Sequence, residues 1–215
     1  MKKLFLFLFF CFFSCQKKEQ SRPLLATKPK LTTLKDNSKQ NTLSFAEKLS
    51  QAAISIIDPE VIYTPSYVRL SYPNGDVPHK TGVCTDVIIR AYRKLSIDLQ
   101  KEVHEDMKAN FSKYPKIWGL KTTDKNIDHR RVPNLEVFFE RKGKKLAISQ
   151  NPKDYKTGDL VTWMIGDELP HIGIITHLKS TDGKRPMIVH NVGSGQVLQD
   201  CLFSYTIVGH FTYEK

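Results

Sequence analysis

The chain has 215 residues, 40% of them hydrophobic and 26% charged, which is ordinary for a globular protein. Its formal net charge of +11 is not ordinary and favours polyanionic surroundings such as anionic lipid or a cell-wall polymer. No zinc-finger spacing, RNP-like aromatic motif or arginine-lined helix accompanies that charge, so nucleic acid is excluded as the expected partner.

Met1-Lys2-Lys3 followed by the apolar run Leu4 to Phe13 is too short for a membrane span and has the proportions of a secretory signal over residues 1–14. Ser14-Cys15 at its end, with abruptly polar residues after it, resembles the lipobox of bacterial lipoproteins, although Phe12 replaces the usual leucine. That resemblance implies a lipidated Cys15, export, and a membrane anchor facing the periplasm or the cell surface; two or more acyl chains make such anchoring durable. Residues 15–41, rich in Lys, Gln, Ser, Thr, Asn and Pro, read as a disordered tether. One domain is expected over residues 42–215.

Within that domain, apolar positions from Leu43 to Ile56 recur at helical spacing and stop at Asp58-Pro59. Val61 to Leu70 is β-branched and aromatic and should be extended, followed by a turn at Tyr72-Pro73-Asn74-Gly75-Asp76. Val87, Ile88, Ala91, Tyr92 and Leu95 define a helix beginning at about Cys84. A second helix is expected over Leu99 to Phe111, an irregular polar stretch over Lys113 to Val132, and a short helix over Asn134 to Arg141. The pattern then switches to strands at Gly158–Trp163, His171–Thr176, Met187–Asn191 and Tyr205–Phe211, with Asp182-Gly183 turning between the second and third. Helices followed by an antiparallel sheet make the fold class α+β.

Of the four cysteines, only Cys84 and Cys201 remain for the folded body, either as one disulfide or as free thiols. Cys201 beside Leu202 and Phe203 has the setting of a small buried hydrophobe. Cys84 opens a helix, where the positive end of the helix dipole favours a thiolate and free N–H groups can hold an oxyanion. Such a nucleophile needs a proton carrier, and His171 and His190 lie on strands able to meet if both face the helix. Asn191, next along the strand, is the alternative polar residue at the site. Asp86 caps or braces the helix. Asp128-His129-Arg130-Arg131 is either a set of structural ion pairs or a clamp for substrate carboxylates. No metal or other cofactor is expected, since His104 and His129 are not at zinc spacing.

Gly158-Asp159-Leu160-Val161 and His171-Ile172-Gly173-Ile174 resemble the GDLV…HVGI strand pair of the NlpC-type cell-wall peptidases, a rearranged papain-like superfamily. Ile188-Val189-His190 is similar to its next strand, and Gly82-Val83-Cys84-Thr85-Asp86 to its nucleophile turn, where the family usually has Asp-Cys-Ser. The resemblance implies a papain-like core, Cys84 as nucleophile, His171 as base, His190 as orienting residue, and Tyr72 bordering the site. It also implies hydrolysis of an amide in a peptidoglycan stem peptide or muropeptide; a monomer is expected. More closely, the blocks Gly82–Arg90, His104–Met107, Thr123–Leu135 and Pro170–Ile175 resemble exported bacterial proteins catalogued as a domain of unknown function, over roughly residues 45–213.

Overall fold

Ser44, not Leu43, sets the start of the first helix. Its Oγ accepts the Glu47 N–H at 3.2 Å while the Glu47 carboxylate accepts the Ser44 N–H at 2.8 Å. This reciprocal cap begins helix α1 at Phe45–Ser55 in the computed structural model, which describes residues 43–215. The expected leader, the lipidated Cys15 and the tether lie outside the described residues.

The extended segment that follows pairs over two residues only: β1 (Ile62–Tyr63) runs parallel to β2 (Thr81–Gly82) and sets Tyr63 beside Gly82. Helix α2 (Cys84–Lys94) begins at the residue that its apolar spacing predicts. Helix α3 (Leu99–Ala109) starts at Asp98, whose carboxylate accepts the Lys101 N–H at 3.2 Å. The polar stretch after it contains short 3-10 turns at Phe111–Lys113 and Asp128–Arg130. Helix α4 (Val132–Lys142) carries Pro133 in its first turn, where a missing N–H costs nothing, and ends at Gly143. A Cβ at Gly143 would stand 2.0 Å from the Thr212 carbonyl, so only glycine lets the chain turn into the sheet there.

The sheet comprises β3 (Lys144–Lys145), β4 (Leu160–Ile165), β5 (Leu169–Lys179), β6 (Pro186–His190), β7 (Val197–Gln199) and β8 (Thr206–Thr212). Its order is β3-β8-β4-β5-β6-β7, antiparallel throughout. The architecture of the described residues is thus mixed α and β, with four helices and an antiparallel sheet. β3 and β7, the two edges, are the strands that periodicity misses, because two or three residues are too few for an alternation to register.

Strand alternation divides the core. Ile172, Ile174 and Val189 pack with Leu49, Val87 and Ile88 of the helices. Val161, Trp163, Ile175 and Ile188 face the other way, onto Tyr155, Cys201 and Leu202. Each fully buried aliphatic side chain in these layers contributes about 1.5–3 kcal/mol. Cys84 and Cys201 are both buried free thiols, so the disulfide alternative does not hold. Among the described residues, no helix is long and apolar enough to cross a membrane.

Candidate active site

Cys84 is the first residue of α2, and the helix start around it is braced from inside. The Asp86 carboxylate accepts the Val83 N–H at 2.7 Å. The same carboxylate receives Arg130 through Nε and Nη2, both at 3.0 Å. Arg130 also donates to the Ser66 and Thr64 carbonyls at 3.2 and 3.3 Å, and the Thr85 hydroxyl donates to the Arg130 carbonyl at 3.1 Å. With 1% and 3% of their side chains exposed, Arg130 and Asp86 form a buried ion pair. Arg130 is therefore spent on the helix and offers no free fork to a substrate carboxylate. His129 is buried too, and burial, then the Arg130 charge, pushes it down to about 3. Arg131 lies over the Trp118 ring, 4.0 Å from its centroid. Of the charged segment, Arg130 is ion-paired with Asp86 and Arg131 lies 3.8 Å from the Asp128 carboxylate, while His129 is buried outside any ion pair among the described residues.

The thiol is 4% exposed. Burial pushes it up to about 12, against the Ile172 N–H that points at the sulfur; the Asp86 charge raises it further, while the N–H groups of Thr85 and Cys84 lower it. The helix start thus favours the thiolate, as the sequence suggests, but desolvation outweighs it in the substrate-free protein. The residue bordering the sulfur is Tyr63, not Tyr72. Burial, then the adjacent thiol, pushes the Tyr63 hydroxyl up to about 12. Tyr72 instead stacks edge-on against His104 with centroids 5.3 Å apart. Nothing local in the sequence marks Tyr63, since it reaches the site only through the β1–β2 pairing.

His171 and His190 do meet. His171 Nε2 and His190 Nδ1 are 2.8 Å apart, with the rings edge-to-face. The β4–β5 register places His171 opposite Trp163, and the two rings lie 5.7 Å apart. The histidines therefore share the sheet face of Trp163 and Cys201, whereas Ile172 and Val189 take the face toward the helices. The expectation that both rings face the nucleophile helix is not met, because regular alternation gives that side to the aliphatic residues. The Ile172 N–H acts on the sulfur, and no hydrogen bond among the described residues joins the sulfur to the His171 ring.

Burial, then His190, pushes His171 down to about 3; burial likewise lowers His190. Both shifts favour the neutral ring at pH 7. Gly173 lets the strands close here: a Cβ on it would meet Ile188 Cγ2 at 2.6 Å and His190 Cβ at 3.2 Å. Beyond the pair, Gln199 Oε1 lies 2.7 Å from His190 Nε2, and Cys201 Sγ lies 3.6 Å from it. Gln199 stands on the unforeseen edge strand β7. Asn191 is buried and its Oδ1 accepts the Gly193 N–H at 3.0 Å; it touches neither histidine. Among the described residues, no group of three or more His, Cys, Asp or Glu side chains is arranged to hold a metal ion.

The model of a family described as a domain of unknown function, DUF1287, matches residues 50–213. The chain belongs to the DUF1287 family. It is 48% identical over 165 residues to the uncharacterized protein YijF of Escherichia coli (strain K12), covering 77% of this chain and 80% of that one. No solved structure matches. The DUF1287 match takes in Tyr63, Cys84, Arg130, His171, His190 and Gln199, so the whole of the site lies within it.

Proposed function

We propose that this DUF1287 protein is a cysteine hydrolase that cleaves amide bonds in peptidoglycan stem peptides, on a papain-like core of the NlpC type. The observation that carries this reading is the His171–His190 contact of 2.8 Å, set in the strand whose Ile172 N–H points at the Cys84 sulfur. In this reading Cys84 attacks the substrate carbonyl and its proton passes to His171. His171 then protonates the leaving amine, and water releases the acyl group from the sulfur. N–H groups at the start of α2 stabilise the oxyanion. For the thiol–imidazole bond to form, the His171 ring must turn from the Trp163 face of the sheet to the Cys84 side when substrate binds. Export as a monomeric lipoprotein anchored through Cys15 would put the domain at the wall, facing the periplasm or the surface.

One observation favours a second reading, a non-catalytic lipoprotein that binds wall fragments: the thiol is 4% exposed and pushed up to about 12. Incubating the protein and Cys84→Ala with purified peptidoglycan and soluble muropeptides, with products read by mass spectrometry, separates the two. A product that has gained one water, absent with Cys84→Ala, is the expected result. A product joined to an amine would instead make the enzyme a thiol-dependent transferase. Equal binding of fragments by both proteins without any product would overturn the hydrolase.

A further inference from the structure

The imidazole pair alone does not determine which nitrogen carries which proton. Two neutral rings joined Nε2 to Nδ1 can be protonated in two ways, and only one leaves a lone pair on His171 Nδ1, the nitrogen not engaged by His190. The deciding group must lie at the far end of the relay, on His190 Nε2. The structure places an amide oxygen there, Gln199 Oε1, at 2.7 Å. An oxygen accepts and cannot donate, so His190 carries its proton on Nε2 and its Nδ1 is an acceptor. His171 Nε2–H then donates to that Nδ1, which leaves His171 Nδ1 unprotonated.

We infer that Gln199 is a positioning residue that fixes the tautomers of His190 and His171 so that His171 Nδ1 is the basic atom of the site. The placement follows from the sheet. The β6–β7 register sets Gln199 opposite Ile188, two residues from His190 and therefore on the same face, where a long side chain reaches it diagonally. Cys201 Sγ, 3.6 Å away on the same nitrogen, closes the other side with a weakly polar group that competes poorly for the proton. His190 and His171 are buried, whereas Gln199 at the edge of the sheet is exposed, so the amide and not the imidazole pair meets water. The inference rests on the hydrolase reading for its purpose, but the protonation pattern is a property of the folded protein whether or not it turns over a substrate.

The test is nitrogen-15 NMR of the imidazoles in the full chain at about pH 8, where neutral rings report their tautomers directly, with the seven histidines assigned by single substitutions. Wild type should show both His190 and His171 protonated on Nε2. Gln199→Glu, whose carboxylate can only accept, should retain the His190 Nε2–H signal. Gln199→Leu removes the acceptor, and the single signals should give way to a mixture of tautomers. In a serine-protease triad a wrong tautomer costs about 10⁴ in rate, so muropeptide turnover by Gln199→Leu should fall by at least about tenfold while Gln199→Glu retains more of it. Wild-type His171 protonated on Nδ1, or a His190 signal that reverses in Gln199→Glu, would overturn the inference. So would tautomers that Gln199→Leu leaves untouched. Absence of turnover in wild type with the expected tautomers would count against the hydrolase alone.

Discussion

The buried pair of Asp86 and Arg130 offers the sharpest test of how the nucleophile helix is held. Arg130→Met removes two hydrogen bonds to Asp86 and two to backbone carbonyls, and strands a carboxylate whose side chain is 3% exposed. Breaking one partner of such a pair costs about 3–5 kcal/mol. Asp86→Ala also loses the cap on the Val83 N–H, worth about 1 kcal/mol more. At a urea slope of about 2 kcal/mol per molar, each single change should lower the unfolding midpoint by roughly 2 M. The double variant strands no charge, so its loss should fall short of the sum by about 1–3 kcal/mol. Urea unfolding followed by circular dichroism on all four proteins measures this directly. Strictly additive losses, or single losses under about 1 kcal/mol, would refute the assignment of Arg130 to the helix and return it to the surface as a candidate clamp.

Three further outcomes follow from the same geometry. Gly173→Ala should destabilise by about 1–3 kcal/mol in thermal or urea unfolding, because its Cβ would overlap Ile188 and press His190 outward. Alkylation of Cys84 by iodoacetamide should accelerate continuously up to about pH 10 in the folded protein, since burial pushes the thiol up to about 12; a plateau near the free-cysteine value of about 8.5 would contradict it. Stability should fall as pH drops from 6.5 toward 4. His129 and His171, both pushed down to about 3, stay neutral in the fold while the unfolded chain takes up their protons. Their contribution is full above 6.5 and is lost on the order of 1 kcal/mol per pH unit per histidine as pH falls. Asp128, raised by burial to about 6, opposes this between about 4 and 6, so Asp128→Asn should steepen the acid loss.

How far the sequence carries depends on the range of the interaction. Helix α2 and its first residue are legible because Val87, Ile88, Ala91 and Tyr92 encode one face locally, and β4 to β6 because their apolar runs are bounded by turns. The meeting of His171 with His190 follows from adjacent antiparallel strands. What local pattern cannot express is which partner a charge finds: Arg130 reaches Asp86 across 44 residues, and its neighbours suggest a surface loop until the ion pair is seen. Tyr63 was hidden for the same reason, since two paired residues in β1 leave no periodicity. Gln199 sits on a three-residue strand in a segment that reads as loop, and Tyr72 has the right spacing from Cys84 but the wrong neighbours.

β7 is the terminal strand of the sheet, three residues long and paired on one side only, with an isolated bridge from Asp58 to Gln196 just ahead of it. Short edge strands are where native proteins open first, at a cost far below global unfolding. Each such opening would withdraw the amide oxygen from His190 and admit solvent to the imidazoles. The proton order at the centre of the molecule is thereby tied to its least secured hem, and amide exchange at Val197–Gln199 should set the upper bound on how long that order persists.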